Sequence, residues 1–143
     1  EHLSIKMVSP RLREETRSTN AISIVLLLET HNRHVLFTGD VDELKIIELT
    51  GALQNRIDVI EMPHHGQWSK EAQQLIHNKR PFAVLQSTNR SRFSTDRWLF
   101  PNDTARFVTA TDGTITTTIK PNGDIVIIGE KDPVTMSPCL LHH

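Results

Sequence analysis

Hydrophobic positions in this chain fall into short alternating or unbroken runs at both ends and into helix-spaced patterns between them. Residues 3–8 (LSIKMV) alternate apolar with polar and predict a strand that Ser9-Pro10 stops. The mixed-charge segment 11–20 (RLREETRSTN) has no period and reads as a loop. The unbroken run 22–28 (ISIVLLL) is the pattern of a strand covered on both faces. A turn at THNR, residues 30–33, returns the chain as a strand over 34–37, which ends at TGD. Helical spacing follows over 41–53, with Leu44, Ile47 and Leu53 on one face and Asp42 and Glu43 in the first turn, where they suit the helix dipole. Residues 57–62 (IDVIEM) predict a strand. Residues 69–78 predict a short helix with Ser69 as N-cap and Ala72, Leu75 and Ile76 inward. A strand over 82–86, a helical turn within 94–100, and three strands over 106–110, 114–120 and 124–128 complete the order, with turns at TDG and PNG. Strand–helix alternation in the middle implies an α/β fold, and antiparallel hairpins at both ends imply a mixed β-sheet with flanking helices. Residues 1–130 form the domain on this reading, and 131–143 a loosely held tail.

Composition narrows the function classes. A hydrophobic content of 37% with a formal net charge of −1 fits a globular chain and excludes a basic nucleic-acid coat, so any nucleic-acid contact must come from a local patch. No apolar run approaches the roughly 18–20 residues that span a membrane. The single cysteine, Cys139, excludes an internal disulfide and a cysteine-based zinc site.

Candidate chemistry sits at two strand ends. Asp40, after Gly39, follows a buried strand, where ligands of α/β sheets collect. It either binds a metal or proton there or caps the helix that begins beside it. His64 and His65, between Pro63 and Gly66, either decorate a surface turn or present imidazole, the commonest nitrogen ligand for zinc, to the sheet edge. If the two preceding strands are parallel, Asp40 and the histidines emerge at one edge as part of a metal site. In the segment 87–100, Arg90, Arg92, Phe93, Arg97 and Trp98 either grip a nucleic-acid backbone and stack a base, or pack the loop onto the core with solvated arginines. His31 and His34 read as hairpin surface.

The segments NAISIVLLLE, HVLFTGD, IDVIEMPHHGQWS, PFAVLQS and TDGTITTTIKPNG, in this order and spacing, resemble the second half of a metallo-β-lactamase-fold hydrolase. The branch is that of the C-terminal domain of competence DNA-uptake channel proteins and their stand-alone relatives. The resemblance rests on an Asn-x-x-Ser opening strand (Asn20 to Ser23), Gly39-Asp40 and Pro63–Gly66, and covers residues 3–129. It implies the C-terminal half of an αββα sandwich with two zinc ions at one edge, manganese being the alternative metal. Asp40 is then a catalytic and metal-bridging carboxylate, and His65 the late metal ligand. His64 faces the substrate phosphate or protonates the leaving group, and Gln67, Ser69, Arg90 and Arg92 contact substrate. The bound metal would activate a water for attack on a phosphodiester.

Three departures accompany the likeness. The family motif His-x-His-x-Asp-His, which supplies most ligands, does not occur; the serine after the histidine pair is Gln67; and no His-Pro follows in 87–100. Since the chain opens on Glu1, the expectation is that the ligand-rich half precedes it. The expected partners are that N-terminal half or a self-associating copy, and a nucleic acid as substrate. Alone, the chain is expected to leave the apolar faces of 22–28 and 57–62 uncovered. The alternative is a non-catalytic half-domain used for binding.

Overall fold

The computed structural model describes residues 3–8, 19–53, 56–94 and 97–131. Among them, strands β1 (Ser4–Met7), β2 (Leu26–Thr30), β3 (Arg33–Phe37), β4 (Val59–Glu61), β5 (Ala83–Gln86) and β6 (Ala105–Val108) form one sheet in sequential order. β1–β2–β3 is antiparallel and β3 to β6 are parallel, so the sheet is mixed, as the alternation of elements requires. Two helices, α1 (Glu43–Ala52) and α2 (Lys70–Lys79), connect the parallel strands and pack side by side. The protein is therefore α/β. No helix among the described residues is long and apolar enough to cross a membrane.

Each helix starts where a side chain satisfies its free amides. Asp42 accepts from Lys45 N at 3.0 Å, and Ser69 accepts from Ala72 N at 3.1 Å. The buried face of α1 is Ile46 and Leu49, continued by Leu53 beyond its end, whereas Leu44 and Ile47 face solvent. Of the expected face, Leu53 is inward, whereas the places given to Leu44 and Ile47 are taken by Ile46 and Leu49, two positions further on. Under the two helices lies the larger core, built on Leu27, Leu36, Ile60 and Val84, one from each of four neighbouring strands. Each such fully buried aliphatic side chain contributes roughly 1.5–3 kcal/mol.

The opposite face is covered by a separate hairpin, β7 (Ile115–Ile119) with β8 (Ile125–Gly129), which does not join the main sheet. Ile125 and Ile127 pack on Val35, Val59, Ala83 and Phe107. A polar hook fixes it: Arg33 Nε donates to Gly123 O at 2.6 Å, and Arg33 also pairs with the buried carboxylate of Asp58 at 3.2 Å.

The hairpin covers only part of that face. Ile5, Met7, Ile24 and Phe37 stay exposed, and Leu26 and Leu28 are half-buried. The run 22–28 therefore is not covered on both sides. It opens as a 3-10 turn (Thr19–Ile22) and only then becomes β2. By contrast, Ile57, Val59, Ile60 and Met62 are buried, so this strand is not left uncovered. The helical turn expected within 94–100 lies earlier, at Arg90–Phe93, because Asn89 caps it through Arg92 N. Most of the loop 11–20 and the tail after Lys131 lie outside the described residues.

Candidate functional site

Parallel pairing of Val35 with Val59 and Leu36 with Ile60 brings the ends of β3 and β4 to one edge. The two loops that leave them are laced together. Thr38 is buried, and its Oγ1 donates to Glu61 O at 2.8 Å. The Glu61 carboxylate accepts from Thr38 N and Gly39 N at 3.1 and 3.2 Å. Gly39 takes a φ of +59° with Ile24 O close by, a place that favours glycine. His64 N donates to Gly39 O at 2.9 Å. Since Asp42 caps α1, Asp40 is not the cap, and its carboxylate is half-exposed at the sheet edge.

The turn Pro63–Gly66 is wound left-handed at two consecutive positions, His64 (φ 51°, ψ 48°) and His65 (φ 58°, ψ 24°). For residues with a Cβ this conformation costs roughly 1–2 kcal/mol each. It sends the rings apart. His65 Nε2 lies 3.3 Å from Asp40 Oδ1, whereas His64 lines a cleft of about 190 Å³ with Asn20, Asp42 and Gln67. The turn is braced from below: Trp98 Nε1 donates to Gly66 O at 2.8 Å, and Gln86 Nε2 reaches His65 O at 3.4 Å. Gln86 is buried, and its Oε1 accepts from Arg106 Nε at 3.1 Å. Arg106 in turn lies over the rings of Phe93 and Phe100, each at 5.1 Å.

A second cleft, of about 370 Å³, opens on the other side of the turn and is lined by Gly66, Gln67, Trp68, Gln86, Arg92, Arg97 and Trp98. Here the aromatic residues divide. Trp98 is buried and stacked on Phe100 at 5.9 Å, which packs the end of the loop onto the core, whereas Phe93 is half-buried under Arg106. Trp68 is 44% exposed. Of the expected substrate contacts, Gln67 and Arg92 line this cleft; Arg90 is exposed but outside its lining; and the Ser69 hydroxyl oxygen is engaged as the cap of α2. Sequence reasoning passed over Glu61, Gln86 and Arg106, which hold the turn. It also passed over Trp68, although an aromatic two residues beyond a glycine turn is a visible signal.

The donors at this edge suit zinc in kind but not in number. A carboxylate and an imidazole are ordinary ligands, and a structural or catalytic zinc takes four. Among the described residues no group of three or more His, Cys, Asp or Glu could hold a metal. His31 and His34 stand at the opposite edge, where His34 N and Arg33 donate to Asp58.

No family model matches the chain. Over 100 residues, 70% of its length, the chain is 30% identical to Recombination protein 2 of Haemophilus influenzae. It spans only 12% of that protein.

Proposed function

We propose that this chain is the ligand-poor half of a zinc-dependent hydrolase of the metallo-β-lactamase type that acts on phosphodiesters. The observation that carries the reading is the approach of Asp40 and His65 to 3.3 Å at the ends of adjacent parallel strands, with both histidines held in a costly backbone conformation. Strain maintained at a strand end is a pointer to function. Asp40 and His65 would hold the metal, together with donors from a second half. His64, on the far side of the turn, would face the phosphate or the leaving oxygen. Such a metal supplies Lewis acidity and a water activated at neutral pH. The uncovered apolar face of β1, β2 and β3 supports a second half, or a second copy of this chain, packing there. The likeness to a recombination protein supports a nucleic acid as the substrate.

The test is hydrolysis of a phosphodiester by the native gene product that contains this chain. Asp40→Ala and His65→Ala should each lower turnover by about 10- to 100-fold or more, as loss of a metal ligand or its support does. Turnover unchanged in both variants would overturn the proposal.

A second reading, a module that binds without cleaving, is favoured by one observation. Seven described residues line the cleft beside Trp68, whereas no described group of three or more His, Cys, Asp or Glu could hold a metal. Full binding of nucleic acid by a native product with no turnover at any divalent metal would select it.

A further inference from the structure

We propose that the cleft beside Trp68 binds one unpaired nucleotide of a single-stranded nucleic acid, with Trp68 as the stacking platform and Arg92 and Arg97 as the backbone clamp. This rests on the nucleic-acid part of the reading above and not on its metal. An indole left 44% exposed at the mouth of a cleft presents a flat apolar face that the core does not use. Trp98, the other indole of the cleft, is fixed as its floor by the bond to Gly66 O and the stack on Phe100. Across the opening stand Arg92 and Arg97, both exposed, in a chain whose net charge is only −1. The two guanidinium groups bring positive charge to this wall. Base–aromatic stacking with a neighbouring cationic track is the chemistry of single-strand binding.

The amide of Gln67, exposed in the same space, can meet a base edge as donor or acceptor. Gln86 is buried and already uses its Oε1 on Arg106 and its amide nitrogen on His65 O, so it forms part of the wall. About 370 Å³ lies at the low end of small-ligand pockets, roughly 300–1,000 Å³, which admits one ring and its sugar but not a duplex. A duplex keeps its base faces stacked on each other and offers none to Trp68. Gly66 belongs both to this cleft and to the turn that carries His65, so the two sites share that turn.

The test is fluorescence anisotropy of a labelled oligothymidylate, and of a hairpin duplex of equal length, with the 143-residue chain in EDTA at low salt. Tighter binding of the single strand is expected. Trp68→Ala should weaken it about 5- to 100-fold, as the loss of one stacked base requires, and Trp68→Phe should restore most of it. Arg92→Ala and Arg97→Ala should each flatten the slope of log affinity against log salt by about 0.7. Equal affinity for the duplex, an unchanged Trp68→Ala, or a Trp68→Phe no better than alanine would each overturn the assignment. Because EDTA removes metal, this binding is read independently of any metal held by Asp40 and His65. A failed hydrolase reading with intact Trp68-dependent binding is thereby told apart from the reverse.

Discussion

Two pairs of neighbouring residues share a left-handed backbone, His31-Asn32 and His64-His65, and they stand at opposite edges of the same sheet. The first pair joins β2 to β3. A two-residue antiparallel hairpin closed by a type I′ turn has positive φ at both central positions, which matches the twist of its strands, so the fold itself accounts for the conformation. His31 even gains from it, since its Nδ1 lies 2.9 Å from Thr30 Oγ1. The second pair lies between a parallel strand and a helix, where no hairpin twist demands it. What it accomplishes is aim: one imidazole goes to Asp40 and the other to the cleft on the far side. An imidazole pair is thus informative only once the backbone cost around it has been assigned, and only at the second edge does that cost remain unassigned by topology.

The contrast can be broken most forcefully at the glycines. A Cβ at Gly66 runs into the Gln86 amide, which is buried and held by Arg106, and φ is +77°. Gly66→Ala should cost about 2–5 kcal/mol in urea unfolding, overpacking and left-handed strain together. At the other edge, Gly123 has a φ of +85° and a Cβ there would approach His31 O to 3.1 Å. Gly123→Ala should cost less, about 1–2 kcal/mol. Gly51, inside α1 with open space around it, is the control and should gain up to about 1 kcal/mol as alanine. Equal losses at Gly66 and Gly123 would mean that the site turn is no more tightly built than an ordinary hairpin.

The carboxylates at the two edges should behave in opposite ways. Asp58 is buried and accepts from His34 N at 2.9 Å and from Arg33, which also holds the hairpin. Asp58→Ala should cost about 1.5–3 kcal/mol, the scale of a hydrogen bond to a charged group, and leave zinc binding unchanged. Asp40 is half-exposed, with His65 beside it. Asp40→Ala should stay within about 0.5 kcal/mol of the parent in stability, and, on the proposed function, lower the zinc affinity of the native gene product in calorimetry. A large stability loss at Asp40 would reassign it to the structure.

Relief of backbone strain gives a smaller effect. His64→Gly should raise stability by up to about 1 kcal/mol, because the turn keeps its hydrogen bonds and loses its steric cost. His31→Gly should be neutral, since its Thr30 contact goes with the ring. A destabilised His64→Gly would show that the ring packs rather than aims.

Much of this was legible in the sequence because the relevant signals are local. The TGD and PHHG turns mark strand ends, and the alternation of strands with helices makes those strands parallel, so Asp40 and His65 meet. Ser69 as cap and Ala72, Leu75 and Ile76 as inner face follow from spacing within one helix. What was not legible depends on contacts distant in sequence. Which face of α1 is inward, whether β7–β8 extends the sheet or lies across it, and which tryptophan is buried are all decided by neighbours far along the chain. Glu61 and Gln86 look like ordinary strand polar residues until their partners, the amides of 38–39 and the guanidinium of Arg106, come into view.

The finest comparison lies at the open edge strand, away from both turns. Lys6 on β1 holds the Glu29 carboxyl of β2 below its ordinary value of 4.5, chiefly by hydrogen bonding; burial opposes this, and the charges of Lys6 and His34 add to it. A carboxyl whose folded pKa is lowered adds stability that is present above the unfolded value and lost as pH falls through the folded one. The thermal midpoint of Glu29→Gln should therefore lie slightly below the parent's at neutral pH, with the gap closing on acidification below the ordinary glutamate range. Lys6 is well exposed, so added salt at neutral pH should narrow the same gap. A gap that stays constant through the acid range would mean that β1 is held by its backbone ladder with β2 alone, and that Lys6 and Glu29 meet without consequence.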